Sequence, residues 1–194
     1  DWLRKSGREM ADCALGSPVQ HLERAGLLGK NLLAIHVNHL APGDAELLAK
    51  RGVTVVHCPR SHAYFKHRAF PLDELASADV NICLGTDSLA SLHKPRRQLA
   101  ELNMFDEMRQ FAAANPNLES ESILKMATIN GARALGLKGK IGELAPGAFA
   151  DVIAIPYGEK ISKANEAIIG HRGPVAASMI GGQWAVEPGN MVPA

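Results

Sequence analysis

Three short apolar runs constrain this chain more than any other feature. Each is followed by a side chain that can bind a metal or move a proton. Leu32-Leu33-Ala34-Ile35 runs into His36, Val53-Thr54-Val55-Val56 into His57, and Val80-Asn81-Ile82-Cys83-Leu84 into Gly85-Thr86-Asp87. Short runs rich in Val, Ile and Leu and bounded by Gly or polar residues read as buried strands. The intervals between them each have room for one helix. Pro42 to Gly52 offers Asp44 as a cap, apolar residues on one face and Gly52 as a stop. Pro71 to Ala78 offers a second short helix. Strand, helix, strand, helix, strand implies parallel strands joined by crossovers. Parallel α/β folds carry their chemistry at the C-terminal strand ends, which is where His36, His57 and Asp87 fall.

On either side of this series the pattern changes. Asp1 to Gly7 looks like part of a helical region, and Ser17-Pro18 opens a helix through Val19, Leu22, Ala25 and Leu27. After Asp87, Leu99, Leu102, Phe105, Met108 and Phe111 form a helical stripe over Arg97 to Ala114, ended by Asn115-Pro116. Ser120 is expected to cap a further helix through Ile123, Leu124, Ala127 and Ala134, closed near Gly136. Beyond Lys140, residues 150–155 and 176–180 read as strands, and Gly181-Gly182 as a hairpin turn into Gln183-Trp184-Ala185-Val186.

Composition narrows the function classes. A 194-residue chain with 46% hydrophobic residues can bury one core, as one domain or one domain and a small appendage. A net charge of +1 and the shortness of the basic run Lys94-Pro95-Arg96-Arg97 argue against nucleic acid. No apolar run approaches the length of a membrane span. The cysteines Cys13, Cys58 and Cys83 show no CxxC pair, which suits reduced thiols in the cytoplasm.

Five stretches, in order, resemble the amidohydrolase superfamily in its chlorohydrolase and aminohydrolase branch. They are Ala34-Ile35-His36-Val37-Asn38-His39, His57-Cys58-Pro59-Arg60-Ser61-His62, Leu84 to Ser91, Ala127 to Gly136, and Ile141 to Asp151. That branch includes adenosine-derivative, guanine, triazine and aminofutalosine deaminating enzymes, and residues 60–65 resemble the aminofutalosine type weakly. The resemblance implies an α/β fold, the C-terminal part of a (β/α)8 TIM barrel. Residues 32–36, 53–57 and 80–86 would be its sixth to eighth strands. Residues 1–140 would belong to the barrel and 141–194 to a composite β-sandwich.

The resemblance also implies roles. Asp87 matches the Asp that ligates a divalent metal, Zn or Fe, and takes the proton of the hydrolytic water. His36 matches the His that faces substrate and assists proton transfer in deaminases, and ligates the metal in other branches. The implied activity is hydrolysis of a C–N bond in a cyclic amidine or amino-heterocycle such as a purine derivative.

Other residues admit two readings each. His62, expected in the loop after the second run, touches substrate or lies exposed; Arg60 pairs with a substrate anion or is solvated. Ser88 and Ser91 lie near Asp87, close enough to touch ligand. His57 is read as structural, Cys58 and Cys83 as packing residues, and His39, His67, His93 and His171 as surface residues.

The family's His-x-His and its His with a nearby Glu have no counterpart here. The chain is therefore expected to be a fragment, inactive alone, with metal absent or weakly bound. Three barrel strands leave raw edges, so a homodimer is expected. The alternative is a non-catalytic half-barrel that dimerises or binds a partner chain.

Overall fold

The central strand of the expected series is buried almost completely, and the fold is arranged around it. In the computed structural model of the chain the described residues are Lys5, 16–93 and 101–189. Strands β1 (Leu33–Ile35), β2 (Thr54–His57) and β3 (Ile82–Leu84) form a parallel sheet in that spatial order. The register pairs Ala34 with Val55 and Val56 with Cys83. Val55 is 0% exposed, every residue of β3 is buried, and β1 at the edge is only half covered. This is the burial expected of a parallel strand covered on both faces.

Helices α1 (Pro18–Arg24), α2 (Asp44–Arg51), α3 (Pro59–Tyr64) and α4 (Leu72–Ser77) accompany the sheet. Ser17 caps α1 with a reciprocal capping box to Gln20. Asp44 does not cap α2 as expected. Gly43 takes the cap position, and the buried Asp44 carboxylate accepts from the Ala41 N–H at 2.9 Å and the Ser17 hydroxyl at 2.6 Å. One buried acid thus ties the start of α1 to the start of α2, a tertiary role that local helix signals do not reveal.

The long stripe resolves into α5 (Met104–Ala114), capped by Asn103. Residues 101–103 are not helical, and the start of the expected helix, with Leu99 and the Lys94–Arg97 run, lies outside the described residues, as do Cys13 and, apart from Lys5, the opening segment. The helix expected from Ser120 to Ala134 is broken in two, α6 (Ser120–Ala127) and α7 (Ile129–Ala134), with Glu119 at the cap position of α6. The break falls at Thr128, whose hydroxyl donates to the Leu124 carbonyl at 2.7 Å. Gly142, at φ 80°, packs so closely here that a Cβ would lie 2.9 Å from the Thr128 carbonyl.

The core joins Leu48, Val53, Val55, Leu75 and Ile82 from the sheet layer to Met108, Phe111 and Ile123 from α5 and α6. Helix α8 (Ala164–Gly170) adds Ile169. A second sheet, β4 (Val152–Ala154), β5 (Ala177–Ile180) and β6 (Gln183–Val186), is antiparallel, with the Gly181-Gly182 hairpin where the dipeptide predicts it. Its β6 is exposed throughout, and Ile153, Ile180 and Trp184 present large apolar surfaces.

The close approach at Thr128 generates a stability prediction. Gly142→Ala should destabilise the chain by roughly 2–4 kcal/mol, from left-handed strain plus the collision with Thr128. Gly147→Ala, at φ 88° with open space around the new methyl, should cost only the strain of about 1–2 kcal/mol. Urea unfolding of both variants measures the difference; equal losses would mean that the 142–128 contact does not hold the break in place.

Candidate functional site

The parallel register brings the ends of β1, β2 and β3 side by side. His57 is the last residue of β2, whereas His36 and Asp87 lie just past their strands. Both adopt left-handed backbone, at φ 70° and 53°, as does Val37 at 43°. Three non-glycine residues in that region, at the ends of β1 and β3 on either side of β2, mark strain of the kind that clusters at functional sites. The His36 N–H donates to the Val56 carbonyl and the Gly85 N–H to the His57 carbonyl, both at 2.8 Å, extending the ladder to the rim. A Cβ at position 85 would stand 2.9 Å from Val56 Cγ1, so glycine is required for this approach.

Asp87 is the centre of the rim. Its Oδ2 receives the Ser61 hydroxyl at 2.6 Å and the Ser91 hydroxyl at 2.9 Å, and lies 3.9 Å from His36 Nε2. The Ser61 hydrogen bond, seconded by Ser91, the His36 imidazole and the Ser88 backbone, holds the Asp87 carboxyl below its ordinary range against the opposing effect of burial. Ser61 stands on α3 and is almost fully buried; Ser91 ends a single 3-10 turn, Leu89–Ser91. Ser88 is exposed, and its carbonyl accepts from Ser91 at 2.9 Å.

His57 turns inward. It is 3% exposed, stacks on Phe70 at 4.0 Å, and meets Phe111 and the edge of His62 at 5.5 and 5.0 Å. Its buried Nδ1 has no hydrogen-bond partner among the described residues. Burial, with the nearby His62 and His36, lowers its pKa to about 3, so the ring is neutral.

His62 lies on α3, not in a loop; Pro59 at the first turn starts a helix there. Its ring nitrogens face Asn38 Oδ1 at 3.0 Å and the Arg68 carbonyl at 2.7 Å, and burial lowers its pKa. Arg60 is engaged within the chain: Nη1 donates to the Glu101 carbonyl at 2.9 Å and lies 3.4 Å from Asp106 and 3.8 Å from Glu107. Cys58 and Cys83 are buried free thiols, and burial pushes Cys58 up to about 12. His39, His67 and His93 are exposed. His171 differs from expectation: it is half-buried against Phe105, with Nε2 enclosed and lacking a partner among the described residues.

The sequence reading assigned nothing to Ser61, Asn38 and Glu107. Glu107 is 0% exposed on α5, where its Oε2 accepts from the Arg60 backbone N–H at 2.9 Å. Burial raises its carboxyl to about 7. A signal was present: Met104, Glu107, Met108 and Phe111 share one helical face, so an acid sits in an apolar stripe.

By type, the Asp87 carboxylate and the His36 imidazole suit a divalent cation. In number they fall short of the three protein ligands a catalytic zinc takes. No group of three or more His, Cys, Asp or Glu able to hold a metal occurs among the described residues.

The profile of the Amidohydrolase family matches residues 9–185. A 5-methylthioadenosine/S-adenosylhomocysteine deaminase of Syntrophobacter fumaroxidans is 41% identical over 141 residues, which cover 72% of this chain and 32% of that protein. The chain spans about a third of the length of the curated relatives it matches. An adenosine deaminase from Xanthomonas campestris, solved with bound zinc, superposes with a TM-score of 0.78 at 29% identity, over 96% of this chain and 42% of that one. The Helicobacter pylori aminofutalosine deaminase shares the fold, with a TM-score of 0.68 at 22% identity over 80% of this chain and 38% of its own.

The neutral, enclosed His57 implies a pH dependence. Its folded pKa lies below its ordinary value, so the stability it contributes is complete above about pH 6.5 and is lost as pH falls toward about 3. Between pH 6.5 and 5 the loss is on the order of 2 kcal/mol. His57→Phe, which keeps the stack on Phe70, should flatten the dependence of Tm on pH over that window. Thermal unfolding at a series of pH values gives the answer; an unchanged slope would show that His57 is not held neutral.

Proposed function

The chain belongs to the amidohydrolase family, and on that footing we propose that it is the C-terminal portion of a metal-dependent deaminase acting on a purine-like nucleoside. The observation that carries this reading is the Asp87 carboxylate, hydrogen-bonded by Ser61 and Ser91 and facing His36 across the end of β2, between the ends of β1 and β3. In this reading β1, β2 and β3 are the sixth to eighth strands of a (β/α)8 barrel. Residues 1–140 belong to that barrel, and residues 141–194, with β4 to β6, contribute to a β-sandwich. The names of the relatives, 5-methylthioadenosine/S-adenosylhomocysteine deaminases, favour an adenosine derivative over a triazine.

Asp87 would hold a divalent metal, Zn or Fe, with its other ligands supplied from the length of the relatives that this chain does not span. A bound metal lowers the pKa of its water toward neutrality. With such a metal in place, Asp87 would be the proton acceptor for the hydrolytic water, and His36, partly exposed at the rim, would contact the substrate ring and assist proton transfer. His62 on α3 and Ser88 at the mouth face the substrate side. Arg60 acts near the substrate through the α3 turn that its side chain braces. Alone, the described residues lack the ligands to keep a metal.

Large apolar side chains at the rim and beyond, such as Ile35, Leu144 and Ile161, are exposed. They favour a second, compatible reading, association with another polypeptide, a homodimer being the expected form.

The complete enzyme provides the test. Asp87→Asn should keep the fold, weaken zinc binding and lower turnover of 5-methylthioadenosine by roughly 10²–10⁴. His36→Ala should retain most of the zinc while slowing turnover. The 194-residue chain should hold no stoichiometric zinc after dialysis. Metal analysis and steady-state kinetics check all three, and near-normal turnover by Asp87→Asn would remove the central assignment.

A further inference from the structure

Helix α3 begins at Pro59, and the residue at its cap position, Cys58, makes no side-chain capping hydrogen bond. The first N–H groups of a helix have no partner within it and need one from elsewhere. For Arg60, at the second position, that partner comes from a helix distant in sequence: Glu107 Oε2 accepts its N–H at 2.9 Å. One position further along α3 stands Ser61, almost fully buried, whose hydroxyl reaches Asp87 at 2.6 Å. The Glu107 carboxylate is therefore two short contacts and one peptide unit from Asp87, and α3 packs directly on α5.

Glu107 is costly to bury. Its side chain is wholly enclosed and its Oε1 has no hydrogen-bond partner among the described residues, with Arg60 Nη1 at 3.8 Å. A buried acid placed in an apolar helix face without full satisfaction is worth explaining, because such groups lower stability unless a specific role retains them.

We propose that Glu107 is a positioning residue: it caps helix α3 from the side and so holds the Ser61 hydroxyl against Asp87. Three further observations fit. Ser61 makes the shorter of the two hydroxyl contacts to Asp87 Oδ2, 2.6 Å against 2.9 Å for Ser91, so a small displacement of α3 acts on the group at the centre of the rim. Arg60 is braced from the same side by the Glu101 carbonyl and Asp106, so the turn is gripped at both main chain and side chain. The Arg60 N–H meets a single Glu107 oxygen, Oε2, and any side chain of the same length that presents an acceptor oxygen there can make the contact.

This inference rests on the deaminase reading, and the complete enzyme tests the two separately. Glu107→Leu fills the buried space but cannot accept a hydrogen bond. It should lower kcat and weaken zinc affinity, measured by chelator competition, each by ~10–100-fold, with KM nearly unchanged. Glu107→Gln presents an oxygen to the same N–H and should stay within ~3-fold of the parent on both measures. Ser61→Ala should show the same losses as Glu107→Leu, and the double variant should be no worse than Ser61→Ala by more than ~3-fold, because both act on one contact.

Multiplying losses, an equal failure of Gln and Leu, or a Glu107→Leu enzyme with parental kcat and zinc affinity whatever its Tm, would each overturn the proposal. Should Glu107→Leu not fold, Glu107→Asp, one methylene too short, replaces it with the same expectations; failure of both to fold would make the role purely structural and end the proposal. A complete parent enzyme that neither binds zinc nor deaminates would instead overturn the functional reading, and this inference with it.

Discussion

Burial of the central strand on both faces is the constraint from which the rest of the structure follows. Val55 on β2 is fully enclosed, with Val53 and Ile82 nearly so, and a backbone in that setting must place every N–H and C=O in a ladder. Among the described residues those ladders are β1 on one side and β3 on the other. Once both are made the register leaves no freedom: the three strands end level, and whatever follows them is gathered on one rim. His36 and Asp87 meet for this reason, although they are far apart in the chain.

The opposite end of the sheet is tied by amides. Asn81 Nδ2 donates to Thr54 Oγ1 and to the Asn130 carbonyl, both at 3.0 Å, and Asn130 Nδ2 donates to the Ile82 carbonyl at 2.8 Å. These bonds lock α7 onto β3 and close the polar groups where the strands begin. The two ends thus differ in kind. At the N-terminal end every named polar side chain is satisfied, which stabilises. At the C-terminal end two buried polar atoms, His57 Nδ1 and Glu107 Oε1, lack partners among the described residues, and the backbone at His36, Val37 and Asp87 is left-handed. Left-handed backbone occurs at both ends, with Asp79 at φ 62° before β3, but the unpartnered buried atoms gather at the C-terminal end, where α/β folds place their chemistry.

Much of this was legible along the chain. Apolar runs bounded by glycine marked all three parallel strands, Ser17-Pro18 marked α1, and Gly181-Gly182 marked the hairpin, because each of these signals is local: it depends on what a residue's own backbone and side chain can do. Motifs in order marked the family. The break at Thr128 was not legible, since it answers to Gly142 packing from a different segment. Nor was the role of Asp44, which is spent on Ala41 and Ser17 instead of a helix cap, or the short helix that carries His62.

By itself, the sequence determined the order of the three parallel strands and the helices of Pro42 to Gly52 and Pro71 to Ala78, the strand ends at which His36, His57 and Asp87 stand, the closing hairpin, and membership in the amidohydrolase family. Tertiary structure alone decided which of those ends face one another and in what state. It turned His57 inward to stack on Phe70 while His36 stayed at the rim, enlisted Ser61 and Ser91 to keep Asp87 ionised, and enclosed Glu107 against the backbone of Arg60. The reason is physical. A residue's propensity and period are carried by its near neighbours, but desolvation, charge and hydrogen-bond partnership depend on groups that only the folded chain brings within a few ångströms.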